Sequence, residues 1–187
     1  MKVKLIIFLT YSIIFSFISY CDTPSETDKS FEKCSNVKSD IKVKYTGVYK
    51  YVYEDGGGLD ENHHIILEDN NGKIRGFYFG TSDDFDQARE GYLPGYFAKE
   101  MENICLDSEL FTFTIKITES DLFDKPIPLS FKFNPQNIKA KFKKWGINPI
   151  LRERNYKGNI KTNKIILSFD KNDPIGLEKR EFSKIIE

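Results

Sequence analysis

The sequence predicts a mainly β chain, a single antiparallel β-barrel or sandwich with one or two short helices. Three observations carry this expectation. Apolar and polar residues alternate with a period of two in several short segments, which is the spacing of half-buried strands. Asn70-Asn71-Gly72 separates two such segments, and Asn-Gly accepts the positive φ that a tight hairpin turn requires. Phe and Tyr together number 26 of the 187 residues, so the core and the surface clefts are expected to be aromatic.

The elements follow in order. Ile41, Val43 and Tyr45 alternate with Lys42 and Lys44. Beyond Gly47, Tyr49, Tyr51 and Tyr53 share one strand face and Val48 and Val52 the other, with Gly47 marking a bend. Asp55-Gly56-Gly57-Gly58 ends the strand. Asn62 to Glu68 and Lys73 to Gly80 form the hairpin around Asn71-Gly72. Thr81-Ser82-Asp83-Asp84 offers capping oxygens, and a short helix is expected from Asp84 to Glu90, stopped by Pro94-Gly95. Phe97–Asn103 reads as a further turn or two of helix, and Lys139–Trp145 as another. Phe111, Phe113, Ile115 and Ile117 share a face of the strand Leu110–Thr118. Ile127, Leu129, Phe131 and Phe133 share a face of Ile127–Phe133, whose Pro126 and Pro128 suit a sheet edge. Tyr156–Lys161 pairs with Lys164–Phe169 across Thr162-Asn163, and Glu178–Ile186 closes the sheet.

Gly47-Val48-Tyr49 resembles the Gly-x-Trp that opens the barrel of lipocalin-like proteins, with Tyr in place of Trp. The resemblance covers three residues and the rhythm of hairpins, and the second lipocalin signature, Thr-Asp-Tyr, is absent. It implies a barrel of about eight strands that either holds one small ligand or fills with side chains.

The N-terminus points to a location. Lys2 and Lys4 precede an apolar run from Leu5 to Tyr20, then Cys21, then a polar stretch beginning at Asp22. This is the layout of an export signal, and the cysteine at its end resembles the signal of bacterial lipoproteins. The resemblance implies a signal peptide over residues 1–20 and acylation at Cys21, with the protein lipid-anchored in the cell envelope, periplasmic or surface-exposed. An uncleaved anchor or ordinary export is the alternative. Residues 21–40 are polar and charged, with Phe31 the one large apolar side chain. They read as a flexible tether, and residues 41–187 as the folded domain. If Cys21 is acylated, Cys34 and Cys105 remain as a pair able to form a disulfide in an oxidising compartment. Two separate buried thiols are the other possibility.

Charge and motifs narrow the function. The whole chain holds 28 basic and 28 acidic residues. Without residues 1–20, and so without Lys2 and Lys4, it holds 26 against 28. A weakly acidic domain has no electrostatic footprint for nucleic acid. His63-His64 are neighbours and point to opposite faces of a strand, so no shared metal site is expected. Asp83, Asp84, Asp86 and Glu90 form the densest acidic group, read as a helix start rather than a calcium site or a hydrolase centre. No cofactor is expected. The stretch from Gly76 to Phe97 mixes Tyr, Arg and Gly, residue types that favour recognition surfaces. Arg89, Tyr92 and Tyr96 are its candidate binding residues, or else they pack over one barrel end. The sequence therefore suggests a non-catalytic binding or interaction lipoprotein. Its partners would be the membrane, through the lipid, and an envelope protein or a small apolar ligand. A lipocalin-like carrier and an envelope hydrolase using Asp84 and Asp86 are the rival readings.

Overall fold

A computed structural model describes residues 44–51, 63–85, 95–129, 152–173 and 178–186. Residues 1–40, read above as a signal peptide and a tether, lie outside these residues with Cys21 and Cys34, as do Arg89, Tyr92 and the segment Lys139–Trp145.

Among the described residues ten strands form one antiparallel sheet with almost no helix. They are β1 (Gly47–Tyr51), β2 (His63–Asn70), β3 (Lys73–Thr81), β4 (Tyr96–Glu100), β5 (Glu102–Asp107), β6 (Leu110–Lys116), β7 (Leu122–Phe123), β8 (Glu153–Lys161), β9 (Lys164–Ser168) and β10 (Lys179–Ile186). Their order across the sheet is β5-β6-β8-β9-β10-β1-β2-β3-β4-β7. The ladder is not closed into a ring. The two sides of the sheet are nevertheless linked, because β4, which pairs with β3 and with the two-residue terminal strand β7, bends at Met101 and continues as β5, the opposite terminal strand, which pairs with β6. At the bend the Met101 amide donates to the Gly76 carbonyl at 2.8 Å. The result is an open barrel.

Local chemistry explains most of these elements. β8 alternates exposed and buried residues along its whole length, with Arg154, Tyr156, Gly158 and Ile160 inward. Phe111, Phe113 and Ile115 of β6 are wholly buried on the inner face. Asn71 at φ 53° and Gly72 at φ 79° make the β2–β3 turn, and the Gly72 amide donates to Asp69 Oδ1 at 2.7 Å. Gly47 has φ 142° at the entry to β1, a backbone state natural only to glycine. The hairpin of β8 and β9 closes with Lys161 opposite Lys164, and β10 lies between β9 and β1.

Three expectations need correction. Lys44 and Tyr45 are helical rather than extended. Phe97–Asn103 is not helical but supplies most of β4 and the start of β5. Phe97 faces the interior, while Ala98 is buried on the opposite face, and burial on both faces erases the period-two signal. Ser82–Asp84 is a single 3-10 turn followed by Phe85, and residues 86–90 of the helix expected from Asp84 to Glu90 lie outside the described residues. Residues 124–129 carry no strand, since Pro126 and Pro128 each remove a ladder donor.

The interior is filled by rings from strands far apart in sequence. Phe113 stacks on Tyr156 with centroids 4.7 Å apart and an interplanar angle of 10°. Tyr78 meets Tyr156 edge-on at 5.2 Å, Phe97 at 5.5 Å, Phe113 at 6.0 Å and Phe182 at 6.1 Å. Each such pair adds about 0.5–1.5 kcal/mol beyond its buried area. A second apolar cluster, including Val48, Ile66, Phe77, Phe79 and Ala98, occupies the other face of β1–β4.

Candidate functional site

The titratable cluster of this protein lies inside the barrel. After β3 the chain turns inward through the 3-10 turn. The Ser82 amide donates to the Gly95 carbonyl at 2.7 Å, and the Gly95 amide donates to Ser82 Oγ at 2.8 Å. Phe85 packs edge-on against Phe97 at 5.1 Å. This reversal delivers Asp84, 1 % exposed, to the interior.

Four strands meet Asp84 there. Arg180 of β10, also 1 % exposed, donates from Nη1 to both carboxylate oxygens and from Nη2 to Oδ1, all at 3.2 Å. The Tyr156 and Tyr78 hydroxyls donate to Asp84 Oδ2 at 2.7 and 3.1 Å. Arg180 Nη1 also donates to the Tyr78 hydroxyl. His63 Nδ1 lies 2.9 Å from that hydroxyl and 3.2 Å from Arg180 Nη1, and His63 Nε2 lies 3.3 Å from Thr81 Oγ1. Gly80 makes room for the imidazole, because a Cβ at that position would sit 2.7 Å from His63 Nδ1. Arg154 of β8 donates to the Asp84 carbonyl at 2.8 Å and pairs with Asp173. The ring of Phe169 carries both guanidinium groups, Arg180 at 5.5 Å and Arg154 at 5.6 Å from its centroid. Tyr51 takes Arg180 at 5.3 Å. Two cations thus face two carboxylates, with aromatic rings against both guanidinium groups.

Burial and charge set the protonation states. Desolvation, then the positive charge of Arg180, lowers the His63 pKa from 6.5 to about 3, so its imidazole is neutral at pH 7. Burial alone would raise the Asp84 carboxyl, but Arg180 and His63 hold it well below its ordinary value. Desolvation pushes the Tyr78 and Tyr156 phenols well above theirs.

These shifts predict how stability depends on pH. Between pH 6.5 and 3 the unfolded chain protonates His63 and the folded one does not, so stability falls as pH drops through that window. The term reaches about 5 kcal/mol when complete. The Asp84 term is present above pH 3.8 and is lost only as pH falls further. Above pH 10 the unfolded chain sheds tyrosine protons that the folded chain keeps, so stability falls again. Urea melts from pH 3.5 to 10.5 should show a plateau between about pH 7 and 9. His63→Gln should flatten the loss between pH 6.5 and 4. An equally steep acid limb in that variant would remove His63 from the account.

The structure treats the sequence-derived candidates unevenly. His63 and His64 do point to opposite faces, with His63 wholly buried and His64 half-buried. Asp84 is an interior ion-pair member and not a helix-capping residue at the surface. Asp86, Arg89 and Tyr92 lie outside the described residues. Tyr96 is half-buried at the start of β4, paired in register with Thr81 of β3 and Phe123 of β7. Cys105 is buried on β5 and disulfide-bonded. Sequence reasoning missed Arg154, Tyr156 and Arg180 as members of one site. A signal was present, since Arg154 and Arg180 occupy the inward phase of their strands, in step with Tyr156 and Phe182. An arginine at a core position of a strand implies a buried partner.

Among the described residues no group of three or more His, Cys, Asp and Glu side chains is placed to hold a metal ion, and no helix is long and apolar enough to cross a membrane. Fold and cluster together define an open antiparallel barrel organised around an internal ion pair. Comparison with family models, with curated proteins and with solved structures finds no match to this chain.

Proposed function

We propose that this protein is a lipid-anchored envelope protein whose β domain binds another envelope protein and performs no catalysis. One observation carries the non-catalytic part. Among the described residues, the one interior cluster of acid–base groups, His63, Tyr78, Asp84, Tyr156 and Arg180, has every member 0–1 % exposed and hydrogen-bonded within the cluster. A catalytic acid or base must come within hydrogen-bond reach of a substrate proton, and these are turned onto each other in the core. The hydrolase reading loses Asp84 with them, and its other residue, Asp86, lies outside the described residues. The filled interior weighs against a carrier of small apolar ligands, because aromatic rings stand where such a ligand would lie. The leader, from Lys2 to Cys21, supports the anchor, and the weakly acidic domain gives no reason to expect nucleic acid.

The full-length chain expressed in a bacterium tests the anchor. The membrane fraction should yield a mature mass that begins at Cys21 and carries acyl chains, and Cys21→Ser should move the protein to the soluble fraction. More than one chain is expected, because a single acyl chain gives only marginal membrane binding. A mature mass starting at another residue rejects it. Titration with an apolar fluorophore separates binding module from carrier. Saturable one-to-one uptake would favour the carrier.

A further inference from the structure

The outside of β5 and β6 is buried where a single-layer barrel would meet water. Leu106 and Phe111 pair in register and point inward. Their neighbours Cys105 and Thr112 also pair, and they point to the opposite face. Cys105 is nevertheless 1 % exposed and Thr112 0 %. Neither apolar cluster of the described residues contains Cys105. β5 is also the terminal strand of the sheet, with β6 its one ladder partner among the described residues. Such an edge invites pairing with another chain unless something covers it.

Two further observations name the occupant. Cys105 is disulfide-bonded, and the other two cysteines, Cys21 and Cys34, both precede residue 44. The first described residues also sit beside this edge: the Tyr45 hydroxyl lies 3.3 Å from the Ser108 carbonyl, at the β5–β6 turn. Ser108 is only about 10 Å along the chain from Cys105 at strand rise. Ten residues separate Cys34 from Lys44, a reach of up to about 35 Å. We propose that the chain around Cys34 lies across the outside of β5 and β6, stapled by a Cys34–Cys105 disulfide, and covers the sheet edge. The choice of Cys34 over Cys21 rests on the proposed acylation of Cys21.

The staple has a consequence for the anchored protein. It leaves only residues 22–33 as free spacer between lipid and domain, at most about 40 Å when extended. It therefore fixes how far the domain stands from the membrane. In forming it each thiol loses a proton and an electron. The two electrons pass to a small-molecule or protein disulfide of the oxidising compartment, which leaves as two thiols.

The test uses the mature full-length protein in detergent. Peptide mapping without reduction should recover a Cys34–Cys105 linked peptide. Hydrogen exchange should then be compared in wild type, in Cys34→Ser and in gently reduced wild type. The last preparation covers the case in which the variant does not fold. Amides of β5 should exchange at least tenfold faster once the bridge is absent, while those of β2 and β3 hold their rates. A Cys105–Cys21 bridge, a free Cys105 thiol, or unchanged β5 exchange overturns the staple. The linked peptide in a chain without acyl groups would instead retire the anchor and leave the staple standing, so the two failures are distinguishable.

Discussion

Replacing Asp84 by Asn should destabilise the protein by about 3–5 kcal/mol, the range for removing one partner of a buried ion pair. The substitution keeps the shape and removes the charge that balances Arg180, a side chain 1 % exposed among aromatic rings. It also weakens the acceptor of the Tyr156 hydroxyl, now at 2.7 Å. A loss of that size is a large share of the roughly 5–15 kcal/mol that holds an ordinary domain together. Arg180→Met should cost a similar amount for the mirror reason. The double change Asp84→Leu with Arg180→Met should recover much of the loss, because an apolar replacement of a whole buried pair is often neutral or better. Urea unfolding of the three variants at pH 7 measures this directly. Single variants within about 1 kcal/mol of wild type would mean that the pair does not form in solution.

Phe113→Ala should cost about 3–5 kcal/mol, the range for truncating a large buried aromatic. Phe113 is wholly buried and stacks on Tyr156 at 4.7 Å, with Phe111 at 5.1 Å and the edge of Tyr78 at 6.0 Å. Its removal opens a cavity against the two tyrosines that hold Asp84, so the ion pair should loosen as well. The acid limb of the stability profile should then shift toward higher pH. Ile185→Ala is the control. Ile185 is 50 % exposed and should stay within about 0.5 kcal/mol of wild type. Thermal melts showing equal losses for both would contradict the packing described here.

The strands that read most clearly in the sequence were those in which large apolar residues alternate with smaller or polar ones, whatever the burial of the second face. Phe111, Phe113 and Ile115 declared β6, and Asn71-Gly72 declared the hairpin before it. Tyr49 and Tyr51 took the inward phase that their spacing implied, because every second side chain of a strand shares a face. Reading failed where this signal is lost. β4 buries Phe97 inside and Ala98 outside, so no alternation survives. Prolines on both sides of Ile127 outweighed its apolar neighbours. Asp84 sat in an acidic run that resembles a solvated helix start, and nothing local distinguishes a carboxylate bound for water from one bound for the core.

The candidate site was less legible than the fold for the same reason. Its members come from β2, β3, the 3-10 turn, β8 and β10, and Asp84 and Arg180 are 96 residues apart in the chain. Each looks ordinary beside its own neighbours. The inward phase of Arg154 and Arg180 was the one available hint, and it names no partner.

By itself, then, the sequence determined the class of fold, the hairpins at Asn71-Gly72 and Thr162-Asn163 and the order of basic, apolar, cysteine and polar segments at the N-terminus. These are local properties, written in period-two alternation, in residues that accept positive φ and in the run of charge and hydropathy. Only the tertiary structure decided that β4 and β5 are one bent strand running from the β3 side of the sheet to its opposite edge beside β6. It alone filled the interior with rings and placed Asp84 against Arg180 rather than at a helix terminus. Those outcomes depend on which strands pair across long separations, and pairing is settled by the whole set of buried faces at once.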